Sequence, residues 1–345
     1  MLRPAAPGLA AASDKRADHH CRWPRSRFNG WRIGNVKSSL QGVGAVVLTD
    51  PSRESPPPTP DIKVDVKLVN VFATVTDFNG APVASLKKEN FQVLEDDVPQ
   101  KIAVFSQEPS LPISVVLAID TSLSTRIDLP FELESARRFA HSIVNADKKD
   151  TLALYTFSRE VLEIVPFTSN LERIDHGIDR VRVGSSTAMY DAIYLGSEAL
   201  EKRQGRKVMV VITDGGDTGS QVSYDEALRQ AQQADALLYS VIVVPIEASA
   251  GRNTGGEHAL IQMSHDTGGK YYYADSITRL DHAFHQISDE LRNQYLLGYY
   301  PSQRLTDSDF RRIEVRALPP DSAAPRDHTQ LMVRHRTGYY TSKTR

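Results

Sequence analysis

Cysteine, long hydrophobic runs and an excess of either charge are all scarce in this chain of 345 residues. Its one cysteine, Cys21, excludes an internal disulfide and a cluster of thiolate metal ligands. The longest nearly apolar stretch covers only residues 237–246, whereas a membrane-spanning helix needs about 20 residues. We therefore expect no transmembrane segment. The 40% of hydrophobic residues still suffices for a folded core, and the length predicts more than one domain.

The first sixty residues differ in composition from the rest. They contain nine Lys or Arg against four Asp or Glu, and residues 51–60 include five prolines. This composition predicts a disordered basic leader, residues 1–60, that ends in a Pro-rich linker. No aromatic repeat or folded basic module accompanies the positive charge, so we expect no nucleic acid partner. No segment clearly follows the order of a secretory signal peptide.

Alternating polar and apolar residues flank the middle of the chain on both sides. The alternation at 62–68 and 72–76 is typical of strands with one buried face, and it returns in residues 310–316. Neither flank is long enough to bury a core alone, because several strands must share one hydrophobic face. We interpret residues 61–108 and 293–342 as the two halves of one small all-β sandwich.

Short continuous apolar runs separated by helical patterns fill the region between these halves. The runs cover residues 113–119, 152–157, 161–167, 208–212, 237–244 and 270–273. Such runs are typical of a parallel sheet that helices cover on both faces. Ser223 and Glu226 have the capping-box spacing that begins a helix. Residues 111–292 therefore predict a doubly wound α/β domain with a mostly parallel sheet, inserted into the sandwich.

Polar residues with oxygen donors follow two of these runs and occupy one loop. The first run leads into Asp120-Thr-Ser122-Leu-Ser124, Thr187 lies before a predicted helix, and Asp214 follows the fourth run. Open α/β sheets bind ligands at the carboxyl ends of their strands. All five side chains offer hard oxygen donors, which suit magnesium or manganese and disfavour copper or zinc.

These three elements, in this order, resemble the metal-ion-dependent adhesion site (MIDAS) of von Willebrand factor type A (VWA) domains. The resemblance covers about residues 111–292 and implies a Rossmann-like fold. The flanking segments 69–77, 89–96, 295–301 and 338–340 are similar to the acidobacterial VWFA-related proteins. A location outside the cytoplasm, secreted or periplasmic, is a further implication of this resemblance.

The family resemblance also implies a role for each predicted ligand. Ser122, Ser124 and Thr187 would bind Mg²⁺ or Mn²⁺ directly, while Asp120 and Asp214 would act chiefly through bound water. Magnesium keeps several waters in an octahedral shell, so one position stays replaceable. An Asp or Glu carboxylate of a partner protein would take that position.

We therefore expect a non-enzymatic, cation-dependent protein-binding module that acts in adhesion or assembly. An intracellular adaptor of an ATPase is the first alternative. A magnesium-dependent hydrolase is the second, and it lacks an obvious general base, because no histidine lies near Asp120, Thr187 or Asp214 in sequence.

Other candidates for a site are weaker. His258 and His265 lie seven residues apart on one predicted helix, whereas helical ligand pairs usually lie four apart. We interpret both as structural or exposed. Four further residues of the predicted site loops could influence partner choice, but solvated loop positions are the simpler interpretation. They are Arg126, Ser185, Gly216 and Asp217.

Overall fold

The computed structural model describes residues 68–107, 110–145, 149–244, 254–303, 310–318 and 331–341. All of these residues fall within one structural unit, Lys63–Arg345. The predicted leader and most of the predicted strand at 62–68 lie outside the described residues. None of the described helices combines the length and the apolar character needed to cross a bilayer.

Fourteen strands and six α-helices form within the described residues. The strands are β1 (Val69–Thr76), β2 (Phe91–Glu95), β3 (Val98–Gln100), β4 (Ile102–Gln107), β5 (Ile113–Asp120), β6 (Thr151–Phe157), β7 (Val161–Thr168), β8 (Arg206–Thr213), β9 (Ala236–Val243), β10 (Tyr271–Ala274), β11 (Tyr295–Tyr299), β12 (Phe310–Ala317), β13 (Met332–Arg334) and β14 (Gly338–Tyr340). The helices are α1 (Leu129–Ile143), α2 (Leu171–Ile178), α3 (Met189–Glu201), α4 (Tyr224–Gln233), α5 (Thr254–Thr267) and α6 (Ile277–Arg292). The predicted capping box is confirmed at the start of α4, where the backbone N–H of Ser223 donates to the Glu226 carboxylate (2.8 Å).

The central sheet has six strands in the order β10-β9-β8-β5-β6-β7. Neighbouring strands within this sheet are parallel, except that β7 runs antiparallel to β6 at one edge. A short hairpin connection allows this reversal, because β7 follows β6 directly without a crossover helix. The predicted mostly parallel α/β sheet is confirmed.

Helices cover both faces of this sheet. On one face, α1 and α6 meet through the stacked rings of Phe139 and Phe284, whose centroids lie 4.7 Å apart. On the other face, α3 and α5 contribute Met189, Ile193 and Leu260 to a second core. Every residue of β5 is buried, including the polar Ser114 and Asp120, as expected for a parallel strand that is covered on both faces.

Two antiparallel four-stranded sheets form the sandwich, with the orders β13-β1-β11-β4 and β14-β12-β2-β3. In the first sheet Val71 of β1 lies opposite Leu297 of β11, and in the second Val93 of β2 lies opposite Val315 of β12. These four side chains belong to one core. Each sheet joins strands from before and after the α/β domain, so the predicted insertion of that domain into a sandwich is confirmed.

The chain enters and leaves the α/β domain at the amino edge of its sheet. Arg206, the first residue of β8, is buried there, and its guanidinium donates hydrogen bonds to the carbonyl oxygens of Leu111 and Leu291. Leu111 precedes β5 and Leu291 lies in the last turn of α6, so one side chain joins the entry to the exit. The carboxyl edge lies the length of β8 away, about 25 Å at about 3.3 Å per residue.

A buried carboxylate joins the two sheets of the sandwich. Glu95 of β2 is 1% exposed, and its Oε2 accepts hydrogen bonds from the hydroxyls of Tyr299 (2.6 Å) and Tyr339 (2.9 Å). Tyr299 lies in β11 of one sheet, whereas Glu95 and Tyr339 lie in the other. Burial raises the pKa of both tyrosines, and the negative charge of Glu95 raises it further, so both hydroxyls keep their protons at neutral pH.

Tyr299→Phe should therefore destabilise the folded chain. The substitution removes a hydrogen bond to a buried charged group, which should lower the free energy of unfolding by about 1–3 kcal/mol. Denaturant unfolding measures this difference. Tyr300→Phe is the matched control, because Tyr300 is 53% exposed, and its effect should stay below about 0.5 kcal/mol. Equal effects of the two substitutions would contradict a stabilising role for the bond to Glu95.

Candidate metal centre

The two central strands of the sheet bring the acidic motifs to one edge. β5 and β8 are parallel neighbours, with Ile119 opposite Ile212. β5 ends at Asp120, and β8 ends at Thr213, directly before Asp214. Parallel neighbours end at the same edge of a sheet, so the two aspartates lie near one another although they are distant in sequence.

Asp120 organises the turn that follows β5. Its side chain is fully buried, and its Oδ1 accepts from the backbone N–H of Ser122 (2.8 Å) while its Oδ2 accepts from the hydroxyl of Thr213 (2.7 Å). The hydroxyl of Thr125 closes the turn on the carbonyl oxygens of Asp120 (3.2 Å) and Ser122 (3.1 Å). As a result, Ser122 Oγ and Ser124 Oγ lie 2.9 Å apart. Adjacent ligands of an octahedral Mg²⁺ have about this separation, because each lies about 2.1 Å from the ion.

Hydrogen bonds join the loop before α3 to the other two loops of the site. The backbone N–H of Gly184 donates to the carbonyl oxygen of Thr121 (2.6 Å), in the turn after β5. The backbone N–H of Thr187 donates to the hydroxyl of Thr218 (3.0 Å), and the N–H of Thr218 donates to the Thr187 carbonyl (2.9 Å). The structure thus places all five predicted ligands at the carboxyl edge of the sheet. They are Asp120, Ser122, Ser124, Thr187 and Asp214.

Asp217 holds the start of α3, a role that its interpretation as a solvated loop residue misses. The N-cap residue Ala188 has no side chain that can accept a hydrogen bond from the helix. Asp217 Oδ1 accepts instead from the backbone N–H of Met189 (2.8 Å) and from the hydroxyl of Ser220 (2.6 Å). This capping fixes the loop of Thr187 against the loop after β8. The alanine at the N-cap was the available signal, because an uncapped helix start needs an acceptor from elsewhere.

Glu132, in the first turn of α1, is a second residue that the sequence interpretation missed. Its side chain is 1% exposed. Burial raises the pKa of Glu132 well above its ordinary value, and the negative charges of Asp120, Asp128 and Asp214 raise it further. The signal was its spacing: Glu132 lies seven residues before the buried Phe139, on the apolar stripe of the helix.

The donor set fits a hard divalent cation. Burial raises the pKa of Asp120 to about 6, and the negative charge of Asp214 adds to this, while hydrogen bonds from Thr213 and Ser122 oppose it. A cation at this edge would favour the ionised carboxylates. In the described ranges, no group of three or more His, Cys, Asp or Glu side chains is arranged to hold a metal. A cation site here therefore depends on the hydroxyl oxygens.

The two histidines of α5 do not form a ligand pair. His258 Nδ1 lies 2.7 Å from the carbonyl oxygen of Thr254, and His265 Nδ1 lies 3.1 Å from Oδ1 of Asp266. Both histidines are exposed. Each contacts its own helix, as expected for exposed residues.

Comparison with known proteins finds similarity to one domain family in the middle of the chain. Residues 115–216 match the family described as von Willebrand factor type A domain. An uncharacterized protein of Borreliella burgdorferi is 21% identical over 179 residues, which cover 46% of this chain and 52% of that protein. The chain thus spans about half the length of this relative. All five predicted ligands lie within the range that matches the family.

Two solved structures are similar to about half of this chain. The conserved hypothetical protein BatB from Bacteroides thetaiotaomicron is 18% identical with a TM-score of 0.42, and the similarity covers 52% of this chain and 98% of that one. The vWF domain of the type V pili tip protein Mfa5 from Porphyromonas gingivalis is 13% identical with a TM-score of 0.44, over 52% of this chain and 94% of that one.

The burial of Asp120 predicts a pH dependence of stability in the absence of metal. Its pKa is about 6 in the folded chain against an ordinary value of 3.8, so the folded chain binds this proton more tightly than the unfolded chain does. That contribution is present below pH 3.8 and is lost as the pH rises through 6. In EDTA, the free energy of unfolding of the wild type relative to Asp120→Asn should fall by about 2–3 kcal/mol between about pH 4 and about pH 7. Denaturant unfolding at each pH tests this, and parallel curves for the two proteins would contradict it.

Proposed function

We propose, from the match of residues 115–216 to the von Willebrand factor type A domain family, that the chain is a non-enzymatic protein-binding module for adhesion or assembly. The module uses Mg²⁺ or Mn²⁺ to accept an Asp or Glu carboxylate from a partner protein. The observation that supports this most directly is the pair of hydroxyl oxygens of Ser122 and Ser124, 2.9 Å apart at the carboxyl edge of the sheet.

In this proposal the cation, when bound, supplies an electrophilic position for an anionic oxygen of the partner. Ser122, Ser124 and Thr187 are its direct protein ligands, and Asp120 and Asp214 act through water. The two oxygens of Asp120 already accept hydrogen bonds from Ser122 and Thr213, which supports an indirect role for this carboxylate. Hydroxyl ligands leave the positive charge of the ion less neutralised than carboxylates would, so it remains attractive to an external carboxylate.

Exposed apolar side chains beside the site support a protein partner over a small anion. Leu123, Ile127 and Phe131 are 60%, 76% and 51% exposed, and they lie within nine residues of Ser122. Apolar patches rimmed by polar residues are typical of protein interaction sites. A partner that presents an acidic residue next to apolar ones would match this surface.

Burial of Asp120 and Glu132 argues against either of them as the general base of a hydrolase, whereas Asp214 is half-buried. A general base must reach the proton that it removes. Glu132 is inaccessible to solvent and Asp120 is fully buried, so a substrate in solution reaches neither carboxyl group. A location outside the cytoplasm stays a prediction, as does the alternative role as an ATPase adaptor.

Calorimetric titration of the full-length, EDTA-stripped chain with Mn²⁺ and Mg²⁺ tests the cation site. We expect the wild type to bind the cation at one saturable site. The affinity of the double variant Asp120→Ala, Ser122→Ala should be lower by about tenfold or more, because the variant lacks two of the side chains that would hold the cation. Circular dichroism verifies that the variant is folded. His258→Ala is the control and should bind as the wild type does. No saturable binding to the wild type would sink the cation-dependent proposal.

Immobilised peptides with a central Asp or Glu, and matched peptides with Asn or Gln, test the proposed ligand chemistry. We expect the chain to bind a subset of the acidic peptides in Mg²⁺ and to bind none of that subset in EDTA. Binding that is independent of the cation, or equal for acidic and amide peptides, would show that the carboxylate is not the ligand.

A further inference from the structure

Glu132 is buried in a way that the packing of its helix does not require. Both of its carboxyl oxygens are inaccessible to solvent, and neither has a hydrogen-bond partner in the part of the chain that the structure describes. Its neighbours on the buried stripe of α1 include Leu129, Ala136 and Phe139. An apolar side chain would suit this position, so packing alone does not explain why an acidic residue is buried here.

Leaving such a group without a partner is energetically unfavourable. A buried carboxyl group without a hydrogen bond loses its interaction with water, and the loss is larger for the ionised form. The charged groups that act on Glu132 are Asp120, Asp128 and Asp214, all of them acidic. They oppose a negative charge on Glu132 rather than compensate it. What would compensate it is positive charge at the edge of the sheet where Asp120 and Asp214 lie.

Two of these acids, Asp120 and Asp214, belong to the candidate metal centre. The group on which Glu132 would act is therefore a cation at that centre. Glu132 follows Asp120 on the same segment of chain, through the turn and into the first turn of α1, where its backbone N–H bonds to the carbonyl of Asp128 (3.0 Å). The described acids do not form a group that could bind one ion together. Glu132 would therefore act on a cation from a distance, as an outer carboxylate.

We infer that Glu132 is a positioning residue of the cation site, a third carboxylate that strengthens cation binding from the protein interior. This inference rests on the proposed cation-dependent function. It assigns Glu132 two opposite effects. Without the cation, the buried acid group, which has no hydrogen-bond partner among the described residues, destabilises the fold. With the cation, positive charge at the site favours the ionised carboxylate of Glu132, and this negative charge favours the bound state.

Calorimetric titration of Mn²⁺ into the full-length chain, together with thermal unfolding in EDTA, tests both effects. Glu132→Gln keeps the shape and removes the charge. We expect this substitution to weaken Mn²⁺ binding by about tenfold, as is typical of residues that support metal ligands without contacting the ion. It should not lower the melting temperature in EDTA. Glu132→Asp, which keeps the charge, should bind Mn²⁺ more tightly than Glu132→Gln does. Glu134→Gln is the matched control, since Glu134 lies on the same helix and its side chain is 56% exposed.

The outcomes separate this inference from the proposed function. If the wild type binds Mn²⁺ and Glu132→Gln binds it equally well, Glu132 is not part of the site, while the site itself stands. A lower melting temperature of Glu132→Gln in EDTA, with unchanged affinity, would identify a purely structural residue. If the wild type does not bind Mn²⁺ in a titration that detects it for a control protein, both proposals are wrong.

Discussion

The parallel pairing of β5 with β8 is the constraint on which the candidate metal centre depends. Both strands are buried over nearly their whole length, so neither can present a polar group to solvent except at an end. Parallel neighbours end at the same edge, and that edge receives Asp120 from one strand and Asp214 from the other. The hydrogen bond from Thr213 to Asp120 (2.7 Å) then links the two strand ends directly. Ser122 and Ser124 lie in the turn after β5, and Thr187 lies in a loop that is hydrogen-bonded to the loops after both strands.

The sandwich holds the opposite edge of the same sheet. Arg206 joins the entry and exit of the inserted domain, and Glu290 of α6 accepts hydrogen bonds from Tyr272 (3.1 Å), Lys270 (3.3 Å) and Arg334 of β13. These contacts connect the domain to the sandwich through buried or half-buried charged groups, whose partners must stay in place because an unpaired buried charge is unfavourable. The arrangement leaves the carboxyl edge free to meet a partner about one strand length away.

The acids at the carboxyl edge lower the stability of the fold that presents them. Asp120 is fully buried beside Asp214, and Glu132 is buried without a partner in the described ranges. A chain selected for stability alone would have apolar or hydrogen-bonded residues at such positions. Local conflicts of this kind concentrate at functional sites, where a ligand supplies the missing interaction. A divalent cation is a ligand of the required charge.

The sequence by itself determined the fold class and the insertion, and it supplied the motifs that are proposed as the site. Alternation, continuous apolar runs and the Asp120-Thr-Ser122-Leu-Ser124 segment depend on residues close together in the chain, so their periods and spacing are readable directly. The tertiary structure alone decided the hydrogen-bond partners of Asp217 and Arg206 and the burial of Glu132. Asp217 caps a helix that begins 28 residues earlier, and Arg206 donates a hydrogen bond to Leu291, which lies 85 residues later. The negative charge of Asp214, which follows a different strand, raises the pKa of Glu132. Such partners meet only when the sheet and its helices have packed, because hydrogen bonds and charges act through space and not along the chain.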